Sequence, residues 1–457
     1  MEGKALLFKI FADIDVFDIE INEKDPDKFI SVVKSISTTF GGINLEDIKA
    51  PEAFKIEKQL IDELDIPVMH DDQHGTAIIS AAALLNALEL VGKKIEDIKI
   101  VVSGAGAAAI ACTKLYISFG AKIENIIMTD SKGVINQSRT DLSNEKKFFI
   151  TKRKINSLEE AMVNSDVFIG LSMANILTEK MLASMSKDPI VFAMANPDPE
   201  INYDIAMSVR DDIIFATGRS DLPNQVNNVL GFPFIFRGAL DVRATKINEE
   251  MKKAAVVALA ELAKKPVPEQ VNIAYDETKL LFGKDYIIPK PFDPRLISEI
   301  PPAVARAAME SGVAQEPITD WDKYTQILEE RLGNNQKLIR IIHRRARKAK
   351  NKKLVFAEAD HMDVLKAAQI CFEEGIAEPV LLGGKKIIEE LMESLEFNED
   401  IEIIDPKDKV NKDRAEVYSQ ILFKKLKRKG KTLEDVKRLI RGRAVSYTHL
   451  RAHETSE

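Results

Sequence analysis

The sequence predicts an α/β fold: a doubly wound parallel sheet of the Rossmann type, inserted in a smaller α/β domain and followed by the start of a further α/β domain. From about Lys94 to Asp221, short β-rich runs alternate with helical stretches, the pattern of a parallel sheet covered by crossover helices. One of those strands runs into G104-A-G-A-A-A109, a glycine-rich loop that opens a helix. Upstream lie two carboxylate-bearing turns, N44-L-E-D-I-K-A50 and H70-D-D-Q-H-G-T-A77.

Taken in order, Pro51 is placed to open a helix carrying A53-F-K-I-E-K-Q-L-I-D-E-L64, because proline suits a first helical position. I66-P-V-M69 reads as an apolar strand, and Gly75 to Val91 as a long apolar helix stopped by Gly92. The sheet strands are I98-K-I-V-V102, N125-I-I-M-T-D130, D166-V-F-I-G-L-S172, I190-V-F-A-M-A195 and D212-I-I-F-A-T217. Helices are expected near Ala108 to Phe119, Leu158 to Asn164 and Thr178 to Ser186. Met251 to Ala263 and Ala303 to Met309, the latter opened by Pro302, read as helices packing back onto the N-terminal part. A linker follows Gly312, and a new strand-helix pattern begins at Leu354.

The expected domains are residues 1–71 and 227–315 for substrate and metal, 72–226 for a dinucleotide, 316–353 as linker and 354–444 as a partial further domain. Residues 445–457 resemble a translated sequencing adapter and are expected to be exposed and irregular.

With 457 residues, 45% hydrophobic and 30% charged, the chain is long enough for two or three globular domains. A net charge of -7 gives no reason to expect nucleic acid. The basic run from Lys337 to Lys353 lacks interleaved aromatics and reads as a solvated linker helix. The two cysteines, Cys112 and Cys371, are too far apart in sequence to point to a disulfide framework or a cysteine metal site; a reducing cytoplasm is expected. No apolar run approaches the ~20 residues that span a bilayer, and M1-E-G-K-A-L-L-F-K9 lacks a signal peptide's apolar core. Neither nucleic acid nor membrane is expected as a partner.

In the glycine loop, Gly104 permits the tight turn, Gly106 lets backbone approach a pyrophosphate, Ala107 belongs to the same cofactor loop, and Ala109 allows close helix-sheet packing. Asp130 ends the next strand, where an acid can bind ribose hydroxyls. That acid argues for NAD, yet Lys132 is placed to meet a 2′-phosphate, so NAD and NADP both stay open. Glu46 and Asp47 alone would read as solvated or capping acids. Asp71 and Asp72 follow an apolar strand and precede a helix with a buried face, so their charges need partners. Oxygen ligands without paired Cys or His fit Mg2+ or Mn2+ better than zinc, with His70 and His74 as hydrogen-bonded supporting groups. Hard-metal ligands upstream of a dinucleotide loop point to an enzyme that oxidises a small polar acid on a metal.

M1-E-G-K-A5, F17-D-I-E20, F40-G-G-I-N-L-E-D47, H70-D-D-Q-H-G-T76, the glycine loop, the pair Asn196 and Pro197, G218-R-S-D221, N224-Q-V-N-N-V-L-G-F-P-F234 and F236-R-G-A-L-D-V-R243 form one series. Together they resemble the bacterial malic enzymes of the hybrid type, which carry a phosphate acetyltransferase-like C-terminal domain. The resemblance implies that Glu46, Asp47 and Asp72 are metal ligands, Lys4 the catalytic lysine and Asp71 the acid beside it. It implies that Asn196, Asn227 and Asn228 are amides that bind the substrate carboxylate or the nicotinamide side. The implied reaction is metal-dependent oxidative decarboxylation of malate to pyruvate and CO2, reducing NAD(P)+ with NADP favoured, in a homo-oligomer. Lys4 would be kept neutral by burial and the nearby cation, so that it takes the substrate hydroxyl's proton.

The family's proton donor to the enolate is a tyrosine upstream of the E-G-K motif. The expectation is therefore that this chain binds NAD(P) but turns over malate poorly or not at all. L354-V-F-A-E-A-D-H-M-D-V-L-K-A-A-Q369 and E374-G-I-A-E-P-V-L-L-G383 resemble the start of the acetyltransferase domain, with Ala359 in place of the usual glycine. The implied role is to sense acetyl-CoA in the full-length form, and too little of the domain is expected here for it to form. Two other classes compete: a metal-independent amino-acid or hydroxy-acid dehydrogenase, and a non-enzymatic acyl-CoA-responsive regulatory protein.

Overall fold

The structure, a computed structural model, describes residues 2–275, 280–331, 352–373, 376–395, 397, 399–405, 412–426 and 432–440. Residues 445–457 and nearly all of the basic run before Lys353 lie outside them. The chain forms two compact units, Met1–Asn335 and Gln336–Glu457.

The first unit opens with helices α1 (Glu2–Ala12) and α2 (Pro26–Ser37). The Asp25 side chain accepts from the N–H groups of Asp27 and Lys28 and starts α2, with Pro26 at its first position. Strand β1 (Ile43–Leu45), helix α3 (Glu52–Glu63) and strand β2 (Val68–His70) follow. β1 and β2 are parallel, with Ile43 opposite Val68 and Leu45 opposite His70. Ile30 and Val33 of α2 and Ile56 and Leu60 of α3 form an apolar core with Leu45 and Val68.

β2 passes directly into α4 (Asp71–Val91), which Gly92 ends in the left-handed region at φ 69°. The segment from His70 to Ala77 is thus not a turn. Asp71 and Asp72 occupy the helix's first turn, where backbone N–H groups and the macrodipole favour negative charge.

The dinucleotide-type sheet contains β3 (Ile100–Ser103), β4 (Ile126–Asp130), β5 (Gly133–Val134), β6 (Val167–Gly170), β7 (Ile190–Ala193) and β8 (Ile214–Thr217). Their order is β5-β4-β3-β6-β7-β8, and only the β4–β5 pair is antiparallel. α5 (Ala107–Ser118) follows β3, and short helices α6 (Asn144–Lys147), α7 (Leu158–Met162), α8 (Glu179–Ala183) and α9 (Tyr203–Val209) accompany the later strands. β3 pairs with β4 on one side and β6 on the other, so chain order reverses there and a crevice opens at the strands' carboxyl ends.

Helices α10 (Phe232–Asp241), α11 (Glu249–Lys264), α12 (Glu269–Ala274), α13 (Leu296–Glu310) and α14 (321–331) complete this unit. α13 begins at Leu296 and carries Pro301 and Pro302 inside it, rather than being opened by Pro302. Buried Leu296, Ile297 and Ile300 hold the preceding turn in the core. Gly238 of α10 permits the close crossing, since a Cβ there would stand 2.6 Å from the Pro301 carbonyl oxygen.

At 21 residues, α4 is the one helix among the described residues that is long and apolar enough to cross a membrane. This corrects the expectation that no such run exists. Its Ile78, Ile79, Ala83 and Leu84 are fully buried, and Asn86 donates to the carbonyls of Ala260 on α11 and Ile287. An all-round apolar helix so enclosed is a core helix.

In the second unit, β9 (Lys353–Ala357), α15 (Met362–Glu373), β10 (Glu378–Leu382), α16 (Lys385–Ser394), β11 (Glu402–Ile404), α17 (Lys412–Leu426) and α18 (Leu433–Ile440) follow in order. The strands form a parallel sheet, β11-β10-β9. Ala359, Leu365, Leu381, Ile388 and Phe397 pack into a core of its own, more than so short a stretch was expected to build.

Gly104 sits at φ 115°, and a Cβ there would lie 2.4 Å from the Leu171 carbonyl oxygen. Gly104→Ala should therefore lower the melting temperature by several degrees, at a cost of about 1–3 kcal/mol. Gly106→Ala should leave it unchanged, because a Cβ at Gly106 meets nothing within 4 Å. Thermal unfolding followed by circular dichroism compares the two.

Candidate active site

Because Leu45 and His70 face each other in parallel strands, the residues that follow them emerge side by side. One strand delivers Glu46 and Asp47, the other Asp71 and Asp72. Asp47 turns the chain at φ 57°, a left-handed conformation that costs most side chains energy and that Asp tolerates. Its N–H donates to the Asp72 carboxylate at 2.9 Å, and the Asn44 amide donates to Glu46 at 2.9 Å.

Lys4 reaches this point from α1. Lys4 and Phe8 are one helical turn apart and share a face. Phe8 packs edge-on against Phe232 and Phe236, with ring centroids 4.7 and 5.5 Å away, which docks α1 on α10. The Lys4 ammonium then lies 4.4 Å from the centroid of the Phe232 ring, pairs with Glu46 at 2.8 Å and donates to Asp71. Asp71 is fully buried. The Asn228 amide also donates to it, at 3.2 Å, and the Thr76 hydroxyl donates to Asn228 at 3.0 Å. The second Asp71 oxygen is buried without a hydrogen-bond partner among the described residues. Gly75 leaves room for it, since a Cβ there would come within 2.0 Å.

Burial pushes Asp71 up to about 7, overcoming the Lys4 charge, and Glu46 and Asp72 nearby push the same way. Burial pulls Lys4 down, but Asp71 and Glu46 outweigh it and hold the ammonium above the ordinary lysine range. The expected neutral Lys4 rests on a bound cation beside it; without one, the two carboxylates in contact favour the charged form.

Sequence reasoning missed Glu57. Its buried carboxylate accepts from the His70 N–H at 2.8 Å and the Gln73 amide at 3.2 Å, and lies 3.1 Å from the His74 ring nitrogen. Burial opposes its ionisation, but His74, the His70 N–H and Lys252 outweigh that and hold Glu57 below the usual carboxylate range. It anchors the β2–α4 junction, while His70 Nε2 lies 3.2 Å from the Ile48 carbonyl and links the two acid-bearing segments. A signal was present: Glu57 lies in the apolar stripe of α3 with Ala53, Ile56 and Leu60.

The three acids assigned to a metal are neighbours without being a preformed cluster. Among the described residues, no three acidic, imidazole or thiol groups converge on one point. Glu46 is taken up by Lys4 and Asn44, and Asp72 by the Asp47 N–H. Carboxylates repel one another, and each turns to the donor within reach. Glu46 and Asp71 nevertheless meet at Lys4, and Asp47 and Asp72 adjoin them and each other through the Asp47 N–H; this excess of negative oxygen donors has the chemistry to hold a hard divalent cation. Glu46, Asp47 and Lys4 line a cavity of about 880 Å³ with Asn44, Phe40 and Phe236.

At the crevice, Gly106 is exposed and precedes α5, whose first turn has no acidic residue and no side-chain cap. Ala107 is half-buried and Ala109 buried. These free N–H groups suit an anion. Asp130 is bound by Arg139 through two hydrogen bonds of 3.0 and 3.1 Å, by Lys146 at 2.8 Å and by the Lys132 N–H at 2.9 Å. Burial would raise it, but Arg139 and Lys146 hold it well below the usual carboxylate range. The Lys132 ammonium pairs with Asp141 instead. Of the three amides, Asn228 joins the Lys4–Asp71 pair, Asn227 caps the Val229 N–H at 3.0 Å, and Asn196 lies exposed after β7 beside Gly218.

The raised pKa of Asp71 sets a pH dependence. A carboxyl group that binds its proton more tightly folded than unfolded stabilises the fold below pH ~4, and loses that contribution as pH rises through about 7. With a chelator present, the melting temperature of Asp71→Asn should therefore gain on that of the parent between pH about 4 and about 7 and not beyond. Parallel curves would show that Asp71 does not titrate in that window.

The sequence model described as malic enzyme, NAD binding domain, matches residues 73–276, and that of the malic enzyme N-terminal domain matches 22–61. A phosphate acetyl/butaryl transferase model matches 337–454. The NADP-dependent malic enzyme of Haemophilus influenzae is 51% identical over 447 residues, covering 96% of this chain and 59% of the relative. The chain thus spans about three fifths of the length of such curated relatives. The NADP-dependent malic enzyme of Halomonas elongata is 56% identical over 317 residues, covering 69% of this chain and 75% of the relative. Among solved structures, a malic enzyme from Pyrococcus horikoshii aligns with a TM-score of 0.68 at 39% identity, over 75% of this chain and 78% of that one. With the register-matched acids, the docked lysine and the dinucleotide-type sheet in the same unit, these likenesses show that the chain belongs to the malic enzyme family.

Proposed function

We propose that the first unit serves the metal-dependent oxidative decarboxylation of malate to pyruvate and CO2, with reduction of NADP+. The observation that carries this reading is the Lys4–Asp71 pair, set among Glu46, Asp47 and Asp72 at the ends of two register-matched strands. A basic amine beside a buried acid near pH 7 suits removal of a proton from a secondary alcohol. Lys4 Nζ accepts the proton of the substrate's C2 hydroxyl, and Asp71 takes up the proton that Lys4 must first give away. Asn228 fixes the Asp71 carboxylate from the other side. Glu46, Asp47 and Asp72 would hold Mg2+ or Mn2+, which when bound supplies Lewis-acid polarisation of the substrate oxygens.

The preference for NADP rests on the surroundings of Asp130. Arg139 and Lys146 neutralise it and add positive charge where the adenosine ribose of a bound dinucleotide falls. A 2′-phosphate meets two cations there instead of a bare carboxylate. The proposal extends to an acyl-CoA ester as effector of the second unit, on the strength of the transferase match. A cytoplasmic location belongs to the same proposal, as does a homo-oligomer, the latter supported by the exposed Val16, Phe17 and Ile19 along one stretch of chain.

The test is reduction of NADP+ by the chain with malate and Mn2+, followed at the nicotinamide absorbance, with pyruvate measured in parallel. Turnover should vanish with chelator and fall by a factor of ~10² or more in Lys4→Met, while NADPH binding persists. Turnover indifferent to chelator would favour a metal-independent dehydrogenase, and a chain that neither turns over malate nor binds NADPH would sink the proposal. Separately, replacing both Arg139 and Lys146 by Ala should raise the KM for NADP+ at least about tenfold and that for NAD+ much less. Equal changes in the two KM values would remove Asp130's surroundings as the source of selectivity.

A further inference from the structure

Glu200 lies beyond β7, is fully buried, and has no cationic partner among the described residues. Its two carboxylate oxygens are divided between two loops. Oε1 accepts the Ser172 N–H at 3.1 Å, just after β6, and Oε2 accepts the Ala195 N–H at 3.1 Å, just after β7. The Ser172 and Ser103 hydroxyls are hydrogen-bonded at 2.9 Å, which extends the connection to the end of β3. Space for the carboxylate is provided by Gly170, where a Cβ would stand 2.3 Å from its carbon and 2.5 Å from both oxygens.

A buried acid without a cation is expensive to keep, and burial raises the Glu200 pKa. What the carboxylate uniquely offers is two acceptor oxygens on one rigid plane, one for each loop. A glutamine would place an amide donor against one of the two N–H groups and release that loop. The loops so joined border the crevice at the carboxyl ends of the strands, and Ala195 is followed directly by Asn196. We propose that Glu200 is a positioning residue that clamps the β6 and β7 loops around the nicotinamide half of a bound dinucleotide. The proposal rests on the dinucleotide reading above. The adenosine half falls instead on the β4 side, by Asp130 and Arg139, and is independent of the clamp.

The two halves separate in the test. In the whole chain, affinities for NADPH and for adenosine 2′,5′-bisphosphate are measured by calorimetry for the parent, Glu200→Gln, Glu200→Ala, Gly170→Ala and the double variant Gly170→Ala/Glu200→Ala, with melting temperatures alongside. Each single substitution should weaken NADPH binding at least about tenfold while leaving the bisphosphate within about twofold. Gly170→Ala should add nothing once Glu200 is alanine, because both act through the same carboxylate. Unchanged NADPH affinity in Glu200→Gln, or equal losses for both ligands with a lowered melting temperature, overturns the clamp while the dinucleotide reading stands. A parent chain that binds neither ligand overturns that reading and the clamp with it.

Discussion

The pairing of Leu45 with His70 across two parallel strands is the constraint on which the chemical end of the first unit depends. Each strand is followed at once by two acids, so the register decides which acids meet. Side chains alternate faces along a strand, and a slip of one residue would turn a whole set of them away from its partners. The surrounding elements all act on this pairing. α1 is docked through Phe8 so that Lys4 arrives between the two strand ends. Glu57 holds the backbone at His70 from below.

Two carboxylates in this unit are driven in opposite directions by their surroundings, and the contrast separates their roles. Asp130 is matched by Arg139 and Lys146, which hold it well below the usual carboxylate range. Asp71 is enclosed, shares a single lysine with Glu46, and leaves one oxygen without a donor. A fold selected only for stability would pair that oxygen or replace the acid. An under-partnered buried acid beside a lysine is the arrangement that the proposed proton transfer calls for.

The layered sheet was legible in the sequence, since each strand is a short β-rich run and the glycine loop marks where the first of them ends. The position of α4's start was not, because Asp71 and Asp72 look like loop residues until the helix's own N–H groups are counted as their environment. The proximity of Lys4 to Asp71 came from resemblance alone. Their separation of 67 residues carries no periodicity that could reveal it. Arg139 and Lys146 were missed for a related reason: they fold back on Asp130 across the β4–β5 turn. Glu200 was invisible because an isolated glutamate among prolines reads as solvated until its two N–H donors are known.

β2 ends at His70 and α4 begins at Asp71, so no residue of slack separates strand from helix. One face of α4 carries the acids and Thr76, while its other faces fill the core against α11 and the sheet. Adding or deleting one residue at the junction would rotate every later residue of the helix by about 100°. The phase of the helix is thereby locked to the phase of the strand. A change of length in this part of the chain is tolerable only after Gly92, where the helix has already ended, and the acids cannot drift relative to the core that supports them.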